Sequence, residues 1–220
     1  MQHIQAVIFD LDNTLLDRTR TFRSFAARFI AAYFGHVKTT EDILERIIVL
    51  DQDGYKDKSE LFDELLDEMP WKAKPLKSEL MSFYETEYVN NAVLMNQAKE
   101  VLKHVKSKYQ TALITNGRTA IQYGKIDKLD IRKDFDCILV SEEAGVKKPD
   151  PTIYRMAIDR LGLQPDQCIY VGDHPINDIQ GAADCGMEAI WLKVNQPWRE
   201  ELTAKPLYVI FQLEELLHLL

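Results

Sequence analysis

The amino-acid sequence predicts an α/β fold in which helices cover both faces of a parallel sheet, with an α-helical domain inserted near the start. From residue 98 onward, short apolar runs alternate with segments whose apolar residues recur at helical spacing. Between the first apolar run, Ala6–Phe9, and the next, Thr111–Ile114, the apolar patterns are helical instead. Strands that alternate with helices form right-handed βαβ units, and these units give three layers with the sheet in the middle.

Each predicted strand is a short run of mainly aliphatic and aromatic residues, which is typical of a sheet buried on both faces. The strands are predicted over Gln5–Phe9, Thr111–Ile114, Cys137–Val140, Cys168–Val171, Ala189–Leu192 and Leu207–Ile210. The helices of this domain are predicted over Ala98–Val105, Thr119–Leu129, Ile153–Leu161, Ile176–Ala183 and Leu213–Leu219.

The inserted segment contains four stripes of apolar residues at helical spacing, and its aromatic residues are best explained by packing inside a helical bundle. The stripes begin at Phe22, Ile43, Leu61 and Leu76. We therefore divide the chain into an α/β domain, residues 1–16 and 94–220, and a helical domain, residues 17–93.

Composition and charge limit the classes of partner. Of the 220 residues, 46% are hydrophobic and 28% are charged, the balance of a soluble globular protein. Lys and Arg number 27 against 35 Asp and Glu, and the formal net charge is -8. Nucleic acids and anionic membranes favour basic surfaces, so we expect neither as a partner. A small phosphorylated metabolite needs only local positive charge and fits this balance.

No targeting signal is visible at the N-terminus, and no apolar stretch approaches the ~20 residues of a membrane span. The three cysteines are scattered and fit no metal-ligand spacing. We expect them to be buried, reduced thiols in a cytoplasmic protein that is a monomer or a small homo-oligomer.

The first motif is Asp10-Leu-Asp12-Asn-Thr, directly behind the first predicted strand. Ligands bind at the carboxyl ends of strands in open α/β sheets, and buried carboxylates there require a cation or a raised pKa. A calcium loop also begins with alternating carboxylates, but it needs Gly at its sixth position and Glu at its twelfth. Leu15 and Thr21 occupy those positions, so the calcium interpretation fails.

The second motif, Thr115-Asn116-Gly117, follows the second predicted strand. A hydroxyl group beside exposed backbone amides can hold a phosphoryl oxygen, and Gly117 allows close approach of the backbone. For this tripeptide alone, an ordinary turn is the alternative.

The third motif is Lys147-Lys148-Pro-Asp150-Pro151. Asp150 is predicted to cap a helix whose first residue is Pro151. Lys148 then lies just before a helix N-terminus, where both its charge and the helix dipole favour an anion. A solvated surface lysine is the alternative for this motif.

The fourth motif is Gly172-Asp173-His174-Pro-Ile-Asn-Asp178, after the fourth predicted strand. Together with Asp10, its carboxylates form an oxygen-rich set that suits a hard cation such as Mg²⁺. Imidazole is an unusual ligand for Mg²⁺, so we assign His174 to hydrogen bonding or to the substrate side of the site.

These four motifs in this order resemble those of the haloacid dehalogenase-like hydrolase superfamily, and the resemblance covers nearly the whole chain. It implies a Rossmann-like core in which the four motifs converge at one site, beneath a mobile helical cap formed by the insertion. It also makes Asp10 the nucleophile that forms an aspartyl phosphate and Asp12 the general acid and base. Thr115 and Lys148 are the remaining catalytic residues, and they hold the phosphoryl oxygens.

The resemblance also assigns ligands. The substrate-binding residues are Thr115, Asn116, Gly117 and Lys148. The Mg²⁺ ligands are Asp10, the backbone carbonyl of Asp12, Asp173 and, directly or through water, Asp178. These assignments imply a Mg²⁺-dependent phosphatase that hydrolyses a small phosphate monoester, either a nucleoside monophosphate or a sugar phosphate.

Three other functions use a similar core. A haloacid dehalogenase releases halide without a proton and needs no Mg²⁺, so it has little use for Asp12, Asp173 and Asp178. A phosphomutase uses the same aspartyl phosphate, but the mutases of this family carry Gly where this chain has Asn13. A binding protein without activity does not need a general acid.

The substrate is less well defined by the sequence. The motifs resemble those of nucleoside-monophosphatases and acylneuraminate-phosphatases, whereas selectivity is expected to come from the cap. Several arginines are candidates for substrate contact or for solvated surface, namely Arg18, Arg20, Arg23 and Arg118.

Overall fold

The computed structural model describes residues 3–220, which form two compact units. One comprises residues 3–17 and Leu94–Leu220, and the other comprises Arg18–Val93. The first boundary thus follows Asp17, one residue later than the sequence-based division. We call them the α/β unit and the helical unit and describe each by itself.

The α/β unit contains a six-stranded parallel sheet, which confirms the predicted fold class. Its strands are β1 (Ala6–Phe9), β2 (Gln110–Thr115), β3 (Cys137–Val140), β4 (Cys168–Gly172), β5 (Glu188–Leu192) and β6 (Tyr208–Ile210). They lie in the order β3-β2-β1-β4-β5-β6. The predicted strands agree with these bounds to within one residue at each end. In the first five strands the apolar runs correspond to the buried part of the strand, whereas Tyr208 and Val209 of β6 are exposed.

Strand β1 lies inside the sheet, between β2 and β4. Ala6 pairs with Gln110 on one side and with Cys168 on the other. All four residues of β1 are fully buried. The ladder continues beyond the strand, since the backbone N–H of Asp10 donates to the carbonyl of Val171 at 2.9 Å. The carboxyl ends of β1, β2 and β4 are therefore adjacent.

The helices of the α/β unit follow the strands as predicted, except for a short helix after β3 that was not predicted and for differences near the fourth motif and at the C-terminus. They are α5 (Ala98–Lys106), α6 (Thr119–Lys128), α7 (Ser141–Ala144), α8 (Pro151–Leu161), α9 (Gly181–Asp184) and α10 (Leu216–Leu219). The helix predicted over Ile176–Ala183 begins instead as a π-helical segment, Pro175–Gln180, followed by α9. The predicted terminal helix begins as a 3₁₀ turn over Leu213–Glu215. All three cysteines are free and buried.

The helical unit consists of four helices packed around aromatic side chains, as the apolar stripes predict. The helices are α1 (Arg18–Tyr33), α2 (Glu41–Asp51), α3 (Lys58–Glu68) and α4 (Lys77–Asn90). Phe29 lies at the centre of the packing, with its ring centroid 6.1 Å from that of Phe62 and 5.8 Å from that of Phe83. Aromatic pairs at such separations add to the stability from apolar burial. Within residues 3–220, no helix is both long and apolar enough to cross a membrane.

A buried ion-pair cluster connects three of these helices. Nη2 of Arg18 lies 2.6 Å from Oδ2 of Asp51, and Nζ of Lys58 lies 2.8 Å from Oδ1 of the same carboxylate. The Arg18 and Asp51 side chains are 8% and 1% exposed. Arg18 is thus buried rather than solvated, whereas Arg23 is exposed and pairs with Glu45. The burial of Arg18 assigns it a structural contact inside the helical unit.

Candidate active site

The four sequence motifs meet at the carboxyl end of the sheet. Asp10 follows β1, Thr115 is the last residue of β2, and Asp173 follows β4. Because β1 lies between β2 and β4, the order of the strands brings these three residues together. Lys148 joins them from the segment that precedes α8. The site therefore lies where ligands bind in open α/β sheets.

A tight turn shapes the first motif. The carbonyl of Leu11 accepts hydrogen bonds from the backbone N–H groups of Leu15 and Leu16, and Asn13 adopts a positive φ of 62°. Asn is one of the few side chains that tolerates this left-handed conformation. The turn follows β1 immediately, so Asp10 remains at the end of the sheet and is buried.

The ammonium group of Lys148 connects the first, third and fourth motifs. Its Nζ atom lies 2.7 Å from Oδ1 of Asp10, 2.7 Å from Oδ1 of Asp178 and 2.9 Å from the hydroxyl of Tyr170. Lys148 is buried, which excludes a solvated surface position. The pattern of β4 gives no sign of the Tyr170 contact, because a tyrosine inside an apolar strand also fits the core.

The backbone of Lys148 is held by the second motif. The side chain of Asn116 accepts a hydrogen bond from the N–H of Lys148 at 2.9 Å and donates to its carbonyl at 3.0 Å. Downstream, the carboxylate of Asp150 accepts from the N–H of Thr152, and Pro151 is the first residue of α8, which confirms the predicted cap. These contacts fix the segment from which the Lys148 side chain reaches Asp10.

Three buried carboxylates form a candidate metal site. Oxygen atoms of Asp10, Asp173 and Asp178 lie within 4.8 Å of one another. Such an all-oxygen set suits a hard divalent cation rather than a soft one. Asp178 is also anchored, since its Oδ2 atom accepts from the N–H of His174 at 2.9 Å. A Cβ atom on Gly172 would lie 2.5 Å from Cβ of Asp178, so this approach requires glycine.

His174 has a hydrogen-bonding role, as expected. Its Nδ1 atom accepts from the backbone N–H groups of Ile176 and Asn177, at 3.1 and 3.0 Å, and thereby caps the π-helical segment. Burial lowers the pKa of His174, which favours the neutral ring that can accept these bonds.

The surroundings of Asp10 disfavour the ionised form of its carboxyl group. Burial raises its pKa to about 7, Lys148 opposes this increase, and Asp178 adds to it. Burial acts to lower the pKa of Lys148, but the carboxylates of Asp10 and Asp178 outweigh that effect and raise it above its usual range. The lysine therefore stays charged. A further cation among the carboxylates would favour ionised Asp10 as well.

Asp12 does not join this cluster through its side chain. Its carboxylate accepts from Nζ of Lys125 at 2.7 and 2.8 Å and from Nε2 of Gln122 at 2.9 Å. Gln122 and Lys125 are both buried, and sequence reasoning missed them. A signal was present, because both polar residues fall within the apolar stripe of α6 that includes Ile121 and Ile126.

The remaining residues of the second motif have defined partners. The hydroxyl of Thr115 accepts from Nε2 of Gln122. The N–H of Gly117 donates to the hydroxyl of Ser141 at 3.0 Å. The Asn116 side chain and the Gly117 N–H thus support the loop, and contact of either residue with a substrate stays a prediction.

Two phosphatases are among the relatives of this chain. A glyceraldehyde 3-phosphate phosphatase from Pyrococcus furiosus is 28% identical over 236 residues, which cover 100% of this chain and 94% of the relative. An N-acylneuraminate-9-phosphatase from Mus musculus is 27% identical over 233 residues, which cover 98% and 93%.

The fold also resembles that of solved structures. The HAD-hydrolase YfnB from Bacillus subtilis, crystallised with bound magnesium, matches with a TM-score of 0.81 and 23% identity over 98% of each chain. At this level of identity the likeness concerns the fold alone. A family model described as haloacid dehalogenase-like hydrolase matches residues 7–192, a range that includes all four motifs. The chain therefore belongs to the haloacid dehalogenase-like hydrolase family.

Proposed function

We propose that this protein is a Mg²⁺-dependent phosphatase that hydrolyses a small phosphate monoester through an aspartyl phosphate on Asp10. The observation that carries the proposal is the buried cluster in which Lys148 lies 2.7 Å from both Asp10 and Asp178, with Asp173 beside them. Such a cluster combines a nucleophile, a fixed cation and an oxygen-rich metal site. Family membership and the two phosphatase relatives support the same reaction.

In this mechanism Asp10 attacks the phosphorus atom and the ester oxygen leaves. Lys148 neutralises charge on the phosphoryl oxygens and keeps the Asp10 carboxylate in place. Asp10, the backbone carbonyl of Asp12, Asp173 and Asp178 are the proposed ligands of Mg²⁺. When bound, the metal reduces the repulsion between the anionic carboxylate and the anionic phosphate.

Asp12 is the proposed general acid and base. It donates a proton to the leaving oxygen as the aspartyl phosphate forms, and the resulting carboxylate then accepts a proton from the water that hydrolyses the intermediate. Asp12 suits both steps because its side chain is 23% exposed, whereas that of Asp10 is 8% exposed. The Thr115 hydroxyl is proposed to donate to a phosphoryl oxygen.

The relatives support a proposal for the substrate class, because they are named for a triose phosphate and for an acylneuraminate 9-phosphate. We therefore favour phosphate esters of sugars and sugar acids over nucleoside monophosphates. The helical unit is proposed to act as the cap that selects among them.

Phosphate release from a panel of sugar phosphates and nucleoside monophosphates tests the proposal. The wild type is expected to release phosphate with Mg²⁺ but not with EDTA, and the Asp10→Asn variant is expected to be inactive. Activity that persists in EDTA or in Asp10→Asn would overturn the mechanism. A phosphoryl group that moves to another hydroxyl without phosphate release would identify a mutase. Metal-independent release of halide from 2-chloropropionate would identify a dehalogenase.

A further inference from the structure

Two residues outside the four motifs connect the proposed general acid with the proposed phosphate-binding hydroxyl. Gln122 and Lys125 lie one turn apart on α6 and are each 2% exposed. Lys125 Nζ contacts both carboxylate oxygens of Asp12, and Gln122 Nε2 contacts both Asp12 and Thr115. A buried lysine and a buried glutamine require such partners, so the network is specific to this geometry.

Lys125 fixes the orientation of the Gln122 amide. Its Nζ atom, which can only donate, lies 2.7 Å from Oε1 of Gln122. The oxygen of the amide therefore faces Lys125, and the NH₂ group faces Asp12 and Thr115. The reverse orientation would direct NH₂ at an ammonium group and leave an amide oxygen against the Asp12 carboxylate. The network thus has one arrangement of donors and acceptors.

This arrangement determines what Thr115 can do. Because the NH₂ group of Gln122 is a donor, the Thr115 oxygen must accept from it. The hydroxyl proton of Thr115 then points to another acceptor, the role that the proposed mechanism gives to a phosphoryl oxygen. Gly117 packs against the same amide, since a Cβ atom there would lie 2.9 Å from Cγ of Gln122. The second motif and α6 therefore hold Gln122 between them.

We propose that Lys125 and Gln122 are positioning residues of the active site. Lys125 holds the Asp12 carboxyl group where it exchanges a proton with the leaving oxygen, and Gln122 orients the Thr115 hydroxyl toward the phosphoryl group. This inference rests on the proposed phosphatase function and assigns roles to two residues that lie outside the family motifs.

The dependence on the leaving group distinguishes positioning of Asp12 from a merely structural role. An alkyl ester needs a proton on its leaving oxygen, whereas p-nitrophenolate is stable without one. We expect Lys125→Met to lower kcat/KM by about tenfold to a hundredfold for the sugar phosphate that the wild type hydrolyses best. For p-nitrophenyl phosphate, the expected loss is less than about threefold. Equal losses on both esters, or no loss, would overturn the role of Lys125.

A double variant tests whether Lys125 acts through Asp12. Asp12→Asn should show the same preference for the aryl ester. Adding Lys125→Met to Asp12→Asn should not increase that preference, because the two residues act as a unit. A further increase in the preference would show that Lys125 acts separately and would contradict the proposal. Lys128→Met, at an exposed position of the same helix, is the matched control and should leave both esters within about twofold.

Gln122→Glu tests the orientation of the Thr115 hydroxyl. It provides a second test if the Lys125→Met variant does not fold. Glutamate keeps the size of the side chain and an acceptor for Lys125, but it presents oxygen to Thr115. We expect inhibition by inorganic phosphate to weaken about tenfold and kcat/KM to fall for both esters. The loss should be larger for the sugar phosphate, because the glutamate also places an oxygen against the Asp12 carboxylate. Unchanged phosphate inhibition would contradict the role of Gln122.

Failure of the inference can be told apart from failure of the proposed function. Wild-type protein that hydrolyses neither ester with Mg²⁺ overturns both. Active wild type, inactive Asp10→Asn and equal losses in Lys125→Met overturn the positioning role alone. Thermal melting of each variant identifies losses that come from unfolding.

Discussion

In the helical unit a buried arginine and a half-buried lysine share one carboxylate, whereas in the α/β unit one buried lysine is shared between carboxylates. Arg18 and Lys58 lie 2.6 and 2.8 Å from Asp51. Lys148 lies 2.7 Å from Asp10 and from a second carboxylate. Both arrangements remove charge from water, which is unfavourable unless opposite charge is close. The two clusters differ in whether their positive and negative charges balance.

The helical cluster is balanced by its own residues, because Asp53 supplies a second carboxylate at 3.5 Å from Arg18. In the α/β unit, Asp173 adds a further buried carboxylate to those that Lys148 contacts. Negative charge therefore exceeds positive charge there, and a bound cation would restore the balance. Balanced buried charge indicates a structural contact, and unbalanced buried charge indicates a binding site.

The largest expected effect is on the unbalanced cluster. Asp10→Asn removes the proposed nucleophile and should lower phosphatase kcat by at least about a thousandfold. Because it also removes one of several close negative charges, the metal-free variant should be at least as stable as the wild type. Phosphate release and thermal melting in EDTA measure the two effects. Asp166→Asn, at an exposed position, is the control and should change neither. A variant that is inactive because it unfolds would contradict the comparison.

In the balanced cluster of the helical unit, removal of a carboxylate should lower the stability of the protein. Asp51→Asn leaves the buried Arg18 and the half-buried Lys58 without their shared carboxylate and should reduce the free energy of unfolding by about 3–5 kcal/mol. Urea denaturation measures it. Glu45→Gln breaks the exposed pair with Arg23 and should cost less than about 1 kcal/mol. Similar losses in the two variants would show that burial of the pair is unimportant.

The pH dependence of the metal-free protein tests the charge surplus. The pKa of Asp10 rises from 3.8 to about 7, so between these values the folded protein binds a proton that the unfolded chain releases. This contribution to stability is fully present below about pH 4 and is lost as the pH rises to about 7. The loss is at most about 1.4 kcal/mol per pH unit.

Melting in EDTA across this pH range should therefore show the wild type losing stability relative to Asp10→Asn. Saturating Mg²⁺ favours the carboxylate and should remove most of the difference. A constant difference between the two proteins in EDTA would contradict the raised pKa.

A smaller effect is expected from a single methyl group. Gly172→Ala places a Cβ atom against the buried side chain of Asp178 and should cost about 1–3 kcal/mol of stability, with weaker Mg²⁺ activation. Gly35→Ala, in the helical unit, has its nearest neighbour at 3.5 Å and should be tolerated. Unfolding free energies and the Mg²⁺ concentration for half-maximal activity provide the measurements. Equal tolerance at both positions would show that Asp178 can move.

The architecture could be predicted from the sequence because each strand of a buried parallel sheet is an apolar run. Each run can be recognised without knowledge of its partners in the sheet. The position of the site followed from the same rule, since Asp10 and Thr115 come directly after predicted strands and Asp173 follows Gly172 at the end of another. The π-helical start at Pro175 was not predicted, because its cap is a histidine ring nitrogen and histidine is not a usual capping residue.

The partners of Asp12 were missed for a different reason. Spacing along α6 places Gln122 and Lys125 on the buried face, but only the packing of α6 shows that they reach Asp12. Tyr170 was missed because its ring belongs to the core and its hydroxyl to the site. Contacts between residues far apart in sequence require the fold, whereas strand ends can be recognised from the sequence.

The position of β1 inside the sheet has a consequence for synthesis of the chain. β1 leaves the ribosome before the two strands it pairs with, so the ladder of Ala6 is complete only after Gln110 and then Cys168 have been synthesised. The helices that follow it pack against near neighbours in sequence and can fold while translation continues. A nascent chain that stops before β4 exposes an apolar strand with one edge open, which is the kind of surface that chaperones bind and that aggregates form on.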